Sequence, residues 1–386
     1  MALNTVSSDR LSTNVKNTNF TEAEKQDLTD DIKPLLGSSG GGNKNLIING
    51  AMNVAQRGTS STGLGTSAGY FTLDRYRTTF SNTAGRVTME QVADVHDGFA
   101  NAMKFSCTTA DTSIGSNEYF ILQQKIEGQN LQQLKKGSSD AEQFTVSFYV
   151  KGNASATYVV EIYDLDNNRQ ISKTFSVTTN WTRVELTFPA DTTGAFDDDN
   201  NASLQLGIWL HAGSTYTSGT LNSSAFAAVT SANRAVGISS IFDSTARTFF
   251  ITGVQLEVGN VATEFDHRSF GQELELCQRY YQKSYDYSTT PGTATTIGSI
   301  SNTAYAAINY AGNSVQLPVR MRTTPTVTLY STTTGATGKI NADSGVGTGQ
   351  ATYIGEKNFF AHRQDDGTGV GANVYIRFQF QAVAEL

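Results

Sequence analysis

The sequence predicts a mainly β protein built as two successive β domains, on three observations. Thr and aromatic residues favour strands while Gly, Asn and Ser favour turns, and the 386 residues include 21 Phe, 16 Tyr and 35 Gly. Apolar and polar residues alternate in short runs, as in Phe144-Thr145-Val146-Ser147-Phe148-Tyr149-Val150, which is the period of a half-buried strand. No strand-like run is followed by a long helical pattern, so parallel βαβ units are not expected.

Residues 1–45 read as a docking segment and linker. Thr21-Glu22-Ala23-Glu24 is a capping-box pattern, and Leu28, Ile32, Leu35 and Leu36 follow at helical spacing before Pro34 and Gly37 stop the helix. A lone short helix cannot bury its own apolar face, so these four residues are expected to dock on another protein. Ser38-Ser39-Gly40-Gly41-Gly42 is a flexible tether.

Residues 46–268 read as a jelly-roll sandwich. Strands are expected at 144–150, 158–163, 171–177, 181–188, 204–210 and 249–258, with Asp166-Asn167-Asn168 as a hairpin signal. Trp181, Val184 or Leu186, and Phe188 are the core candidates of one strand. The Gly/Ala/Ser/Thr-rich stretch 212–239 is expected to leave the sandwich as a long loop.

Residues 269–287 switch to a connecting helix with Ser269 as N-cap. Phe270, Leu274, Cys277 and Tyr281 fall at alternating four-three spacing, the spacing of a coiled-coil seam. Self-association on a symmetry axis and packing on the chain's own domain both fit that face. Residues 288–386 read as a small β-sandwich with strands at 305–310, 314–317, 326–330, 353–360 and 374–384.

Charge excludes some functions. A formal net charge of −7 argues against a nucleic-acid partner, which needs a basic surface. No apolar run reaches membrane-spanning length, so membrane insertion is not expected. Cys107 and Cys277 are expected to be buried free thiols.

Catalytic and metal patterns are weak. Asp197-Asp198-Asp199 sits among Gly and Asn and reads as a solvated turn rather than a cation site. Asp164, Asp166 and Asn168 lack the glycine and distal glutamate of an EF-hand loop. His96, His211, His267 and His362 lie at no metal-ligand spacing from one another or from a Cys. No catalytic residues and no cofactor are assigned, and an enzyme is not expected. Sugar binding remains, because aromatic faces with paired polar groups hold saccharides. The aromatic candidates are Tyr70, Phe71, Tyr76, Trp209 and, exposed in a polar loop, Tyr216. In the C-terminal module Tyr353, Phe359, Phe360, His362 and Arg363 cluster near a Gly/Asp turn.

Several phrases carry a resemblance. Asn45-Leu46-Ile47-Ile48-Asn49-Gly50-Ala51-Met52 with Gln56-Arg57-Gly58 resembles the opening of body domains in phage tail-fibre and related virion appendage proteins. Ile251-Thr252-Gly253-Val254-Gln255-Leu256-Glu257-Val258-Gly259 looks like their closing strand, and Cys277-Gln278-Arg279-Tyr280-Tyr281 like the helix after it. Leu317-Pro318-Val319-Arg320-Met321-Arg322 and the terminal Ala384-Glu385-Leu386 resemble the C-terminal module. The body also looks like carbohydrate-binding jelly-roll modules at Phe148-Tyr149-Val150-Lys151-Gly152. The resemblance implies a homotrimeric virion fibre, joined to other virion proteins by its N-terminus and to host-surface glycan elsewhere. A structural head or vertex fibre is the alternative, and a glycan-degrading tailspike the lesser one. Such modules also leave room for a calcium near Glu257.

Overall fold

The computed structural model describes residues 44–304, 312–342, 345–363 and 374–386. The docking residues Leu28, Ile32, Leu35 and Leu36, and the strand expected at 305–310, lie outside them.

Twelve strands build a two-sheet sandwich. They are β1 (Ser60–Leu64), β2 (Arg77–Ser81), β3 (Arg86–Val92), β4 (Ala102–Thr109), β5 (Tyr119–Glu127), β6 (Phe144–Gly152), β7 (Ala156–Asp164), β8 (Arg169–Val177), β9 (Thr182–Phe188), β10 (Ala202–Ala212), β11 (Ala227–Ala228) and β12 (Thr248–Val258). One sheet runs β1-β3-β4-β12-β6-β9 and the other β11-β8-β7-β10-β5-β2. Their inner faces meet in a core that includes Phe105, Phe120, Phe148, Tyr158, Phe188 and Phe249. The expected hairpin joins β7 to β8 with Asp164 opposite Arg169, and Asn168 takes the left-handed turn conformation at φ 51° that Asn tolerates well.

Trp181 is a correction. β9 starts one residue later, and its buried positions are Val184 and Phe188. Side chains alternate along a strand, so Trp181 falls on the opposite face, half-buried, with the Lys151 ammonium 5.4 Å from its ring centroid.

The stretch 212–239 does leave the sandwich, and it is built rather than loose. A short helix α1 (Ser214–Thr217) and the residues around Leu221 and Ala235 fold back over the outer face of the second sheet, while β11 extends its edge beside β8. That covers Trp209, Val159 and Ile121. The Arg234 guanidinium fixes the excursion by donating to both oxygens of buried Glu161 at 2.6 and 2.8 Å, and Trp209 Nε1 donates to the same carboxylate at 3.0 Å.

The connecting helix α2 (Phe270–Gln278) is shorter than expected. Ser269 caps it in a reciprocal capping box with Gln272. The chain then turns, and β13 (Tyr281–Lys283) pairs with the last strand. Backbone pairing takes over here because Tyr280 and Arg279 are anchored. Glu127 accepts from Arg279 Nε at 2.8 Å and Nη2 at 2.6 Å, and from the Tyr280 hydroxyl. A helical continuation would break those anchors.

The remaining strands are β14 (Ile300–Ala304), β15 (Gly312–Gln316), β16 (Thr326–Tyr330), β17 (Lys339–Ala342), β18 (Gly345–Thr352), β19 (Asn358–Arg363) and β20 (Val374–Val383). With β13 they form one connected eight-stranded sheet in the order β13-β20-β17-β18-β19-β15, with β14 and β16 also on β20. The expected strand at 353–360 is corrected: Tyr353 has φ 49°, which ends β18, and β19 starts at Asn358. The sheet surrounds one core of Leu329, Ile340, Phe359, Ile376, Phe378 and Phe380 among others.

Candidate functional site

The C-terminal sheet brings three of its five candidate residues together. β19 lies between β18 and β15. Directly opposed residues in antiparallel strands share a face. Ser314 and Thr352 oppose Phe360, and Gly312 and Gln350 oppose His362. This face therefore carries Phe360 and His362 flanked by short polar side chains. The other face turns Phe359, Ala361 and Arg363 into the interior. Phe359 and Arg363 are thus core residues, contrary to their candidacy. Arg363 folds over Gly347, where even a Cβ would lie 2.0 Å from its Nε.

Tyr353 completes a row. Its ring centroid is 6.4 Å from Phe360, whose ring is 5.8 Å from the nearly parallel imidazole of His362. Tyr353 is 87% exposed, and its φ of 49° is unusual for a bulky side chain. Gly312 makes room for the row, since a Cβ there would meet Phe360 Cζ at 2.3 Å.

Tyr216 is placed differently from its expectation. It is half-buried, edge-on to Tyr119 at 5.4 Å and 5.3 Å from Trp209. It pins the excursion to the sheet, and burial raises its hydroxyl pKa. Trp209 is fully buried beneath it. Tyr76 is a core residue.

Tyr70 and Phe71 line a cleft of about 410 Å³ between the sandwich and the C-terminal sheet. Tyr281, Tyr330, Arg57 and Gln381 complete most of its wall. The Arg57 guanidinium stacks on Tyr281, 3.7 Å from the ring centroid, and binds Glu385 at 2.9 Å and Asp74 at 3.3 Å. Burial, opposed by Arg57, pushes the Asp74 carboxyl up to about 6. Sequence reading missed Tyr281 and Tyr330 here, because only the pairing of β13 and β16 on opposite sides of β20 brings them near Tyr70.

The helix residues do not share one free surface. Phe270 is 49% exposed, Leu274 half-buried, and Cys277 and Tyr281 are buried within the chain. The seam fails because Tyr281 leaves the helix and Cys277 faces the chain's own interior. Both cysteines are free and buried.

Metal chemistry finds little support. Thr263 N, Thr263 Oγ1 and Gln255 Nε2 all donate to Glu257, at 2.9, 2.7 and 2.8 Å. Donors rather than further oxygens surround that carboxylate, so these residues do not fit a calcium. Asp111, Glu118 and His211, scattered in sequence, gather within 4.8 Å of one another. Asp111 already accepts from Thr83 Oγ1 and Ala84 N, and His211 bridges Ser240 and Glu118 at 2.8 and 3.3 Å. Burial lowers the His211 pKa against the pull of Glu118. Asp199 accepts from Asn201 N at 2.8 Å and Asp164 from Asn167 N at 3.0 Å, so both acidic stretches serve turns.

No family model matches this chain, and no curated protein matches it. Among solved structures, it is similar to the enzymatically active domain of tailspike protein 4 of bacteriophage CBA120, at 13% identity and a TM-score of 0.31, over 56% of this chain and 22% of that one. It is similar to a family 30 carbohydrate-binding module at 12% identity and TM-score 0.31, over 61% of this chain and 97% of that one. A family 11 carbohydrate-binding module of a cellulase from Clostridium thermocellum matches at 13% identity and TM-score 0.27, over 53% of this chain and 98% of that one. Likenesses this shallow carry no argument about function. The sandwich architecture rests on its own strands.

Proposed function

We propose that this chain is an appendage protein of a phage particle that holds host-surface glycan on the row Tyr353–Phe360–His362, and that it performs no catalysis. The observation that carries this reading is Tyr353, 87% exposed at φ 49°. A large aromatic held out of the core in a costly conformation is typical of a working surface. Its row of rings offers flat faces for the apolar side of a pyranose, while Ser314 and Gln350 supply hydroxyl and amide partners. In this reading residues 1–45 join the chain to other virion proteins, and the protein is a homotrimer whose repeated weak contacts add up. The cleft at Tyr70 and Tyr281 is the second place on the surface with the aromatic lining a saccharide uses.

A structural head or vertex role is the second reading. It is favoured by the ion pairs of Glu385 with Arg57 and Arg75, which tie the two halves as a stiff rod would need. The test is a glycan array and host-cell binding with the intact chain and Tyr353→Ala. We expect binding that falls at least about tenfold in the variant, the scale of one lost stacking contact, with unchanged circular dichroism. Equal binding by both proteins overturns the assignment to this row and moves it to the cleft at Tyr70 and Tyr281, and no binding by either moves the reading to the structural role.

A further inference from the structure

Where the two β units meet, a second pocket has a different chemistry from the aromatic row. It holds about 260 Å³ and is lined by Gln129, Asn200, Arg279, Arg320, Arg322 and Glu356. The sandwich, the turn after α2 and the C-terminal sheet each contribute to it. Three guanidiniums face one lining carboxylate, in a chain whose formal net charge is −7.

The three arginines are not equally neutralised. Arg279 is paired with Glu127 from behind. Arg320 reaches Glu356 through Nε at 2.6 Å and is otherwise 64% exposed. Arg322 is different. It donates only to backbone oxygens: Nε to Ala384 at 2.9 Å, Nη1 to Asn200 at 2.7 Å and Nη2 to Glu385 at 3.1 Å. Among the described residues no carboxylate pairs with it. Carbonyls satisfy three of its five N–H groups but leave its charge uncompensated.

We propose that this pocket binds an oxyanion carried on a saccharide: the carboxylate of a uronic-type sugar, or a sulfate or phosphate ester. Planar guanidiniums hold such groups by paired charge-assisted hydrogen bonds, and Gln129 and Asn200 supply amides for neighbouring hydroxyls. Glu356 then acts as a selectivity element, displaced from Arg320 by an incoming anion and repelling ligands too weak to do so. The saccharide part of this proposal rests on the glycan reading above. The anion site itself does not.

The test titrates the full chain with inorganic sulfate, inorganic phosphate, glucuronate and glucose by calorimetry at low salt. Sulfate, phosphate or glucuronate should bind and glucose should not. Arg320→Gln should weaken binding about threefold to fivefold and Glu356→Gln should strengthen it by a similar factor, the upper range of one charge interaction at a surface site. Opposite signs from exposed Arg320 and half-buried Glu356 are not what a folding defect gives. Absence of anion binding, or binding indifferent to both substitutions, overturns the proposal. If glycan binding survives that outcome and still requires Tyr353, the glycan reading stands alone. If the anions bind but no saccharide does, the anion site stands and the glycan reading falls.

Discussion

At the scale of single residues, the sequence marks chemistry without telling which way a side chain points. Phe359 and Phe360 are adjacent in β19, so one must face in and the other out, and only pairing with β15 and β18 decides which. Gly312 offers a direct check. Gly312→Ala would put a Cβ 2.3 Å from Phe360 Cζ, so the ring must swing and the row with His362 must break. We expect loss of saccharide binding with the thermal midpoint lowered by a few degrees, measured side by side. Asp74 is the residue-scale test of electrostatics. Burial raises its carboxyl to about 6, so the folded state binds a proton more tightly than the unfolded chain. Stability from this group is present below the unfolded value and is lost as pH rises from about 4 to about 6, with no further change above. The melting temperature of the wild type relative to Asp74→Asn should therefore fall across that window and then level off. A flat difference from pH 4 to 7 would show that Asp74 ionises normally.

At the scale of elements, alternation and turn signals made six of the twelve sandwich strands legible, β6 to β10 and β12, including both strands of the β7–β8 hairpin, while β1 to β5 and β11 went unread. The connecting helix was legible at its start, where Ser269 and Gln272 form a local signal. Its end was not. The four-three spacing runs on through Tyr281, but the anchor that stops the helix is Glu127, 152 residues away from Arg279. No local pattern encodes such a partner. The excursion after β10 has the same character: its composition announced a loop, while its hold on the sheet depends on Arg234 and Glu161. Arg234→Ala should free the excursion and leave a buried carboxylate with only Trp209 as partner. We expect a red-shifted Trp209 emission and faster amide exchange over 213–239, at a stability cost of about 3 kcal/mol. Unaltered emission would mean that Tyr216 and its neighbours hold the excursion unaided.

At the scale of the whole molecule, three of the phrases that resembled virion appendage proteins, those holding Gln56-Arg57, Tyr280-Tyr281 and Glu385, meet in one network. Gln56 and Arg57, Asp74, Arg75, Tyr280, Tyr281 and Glu385 come from opposite ends of the sequence and meet at the junction. The sequence displayed Gln56-Arg57, Tyr280-Tyr281 and Glu385 as separate signatures and did not mark Asp74 or Arg75, and their contact is visible only in the fold. Glu385 is the bridge, since its two oxygens bind Arg57 and nearly buried Arg75. Glu385→Ala should cost about 3 kcal/mol by urea denaturation, because it strands buried guanidinium charge, and Glu385→Gln should cost less. A change within about 0.5 kcal/mol, the usual range for an uninvolved surface site, would place the strength of the junction in its apolar contacts instead.

The strand orders have a consequence for how the chain comes into being. β12, the last strand of the sandwich, sits between β4 and β6, and β20, the last of all, pairs with β13, β14, β16 and β17. Neither unit can close until its final strand has left the ribosome. Until then one sheet of the sandwich exists as two separate pieces with exposed edges, and the C-terminal strands have no common partner. Long-range pairing of this kind folds slowly and leaves sticky intermediates. A nascent chain halted before residue 248 should therefore be captured by chaperones, whereas release of the next dozen residues should let the sandwich form while the rest is still being translated.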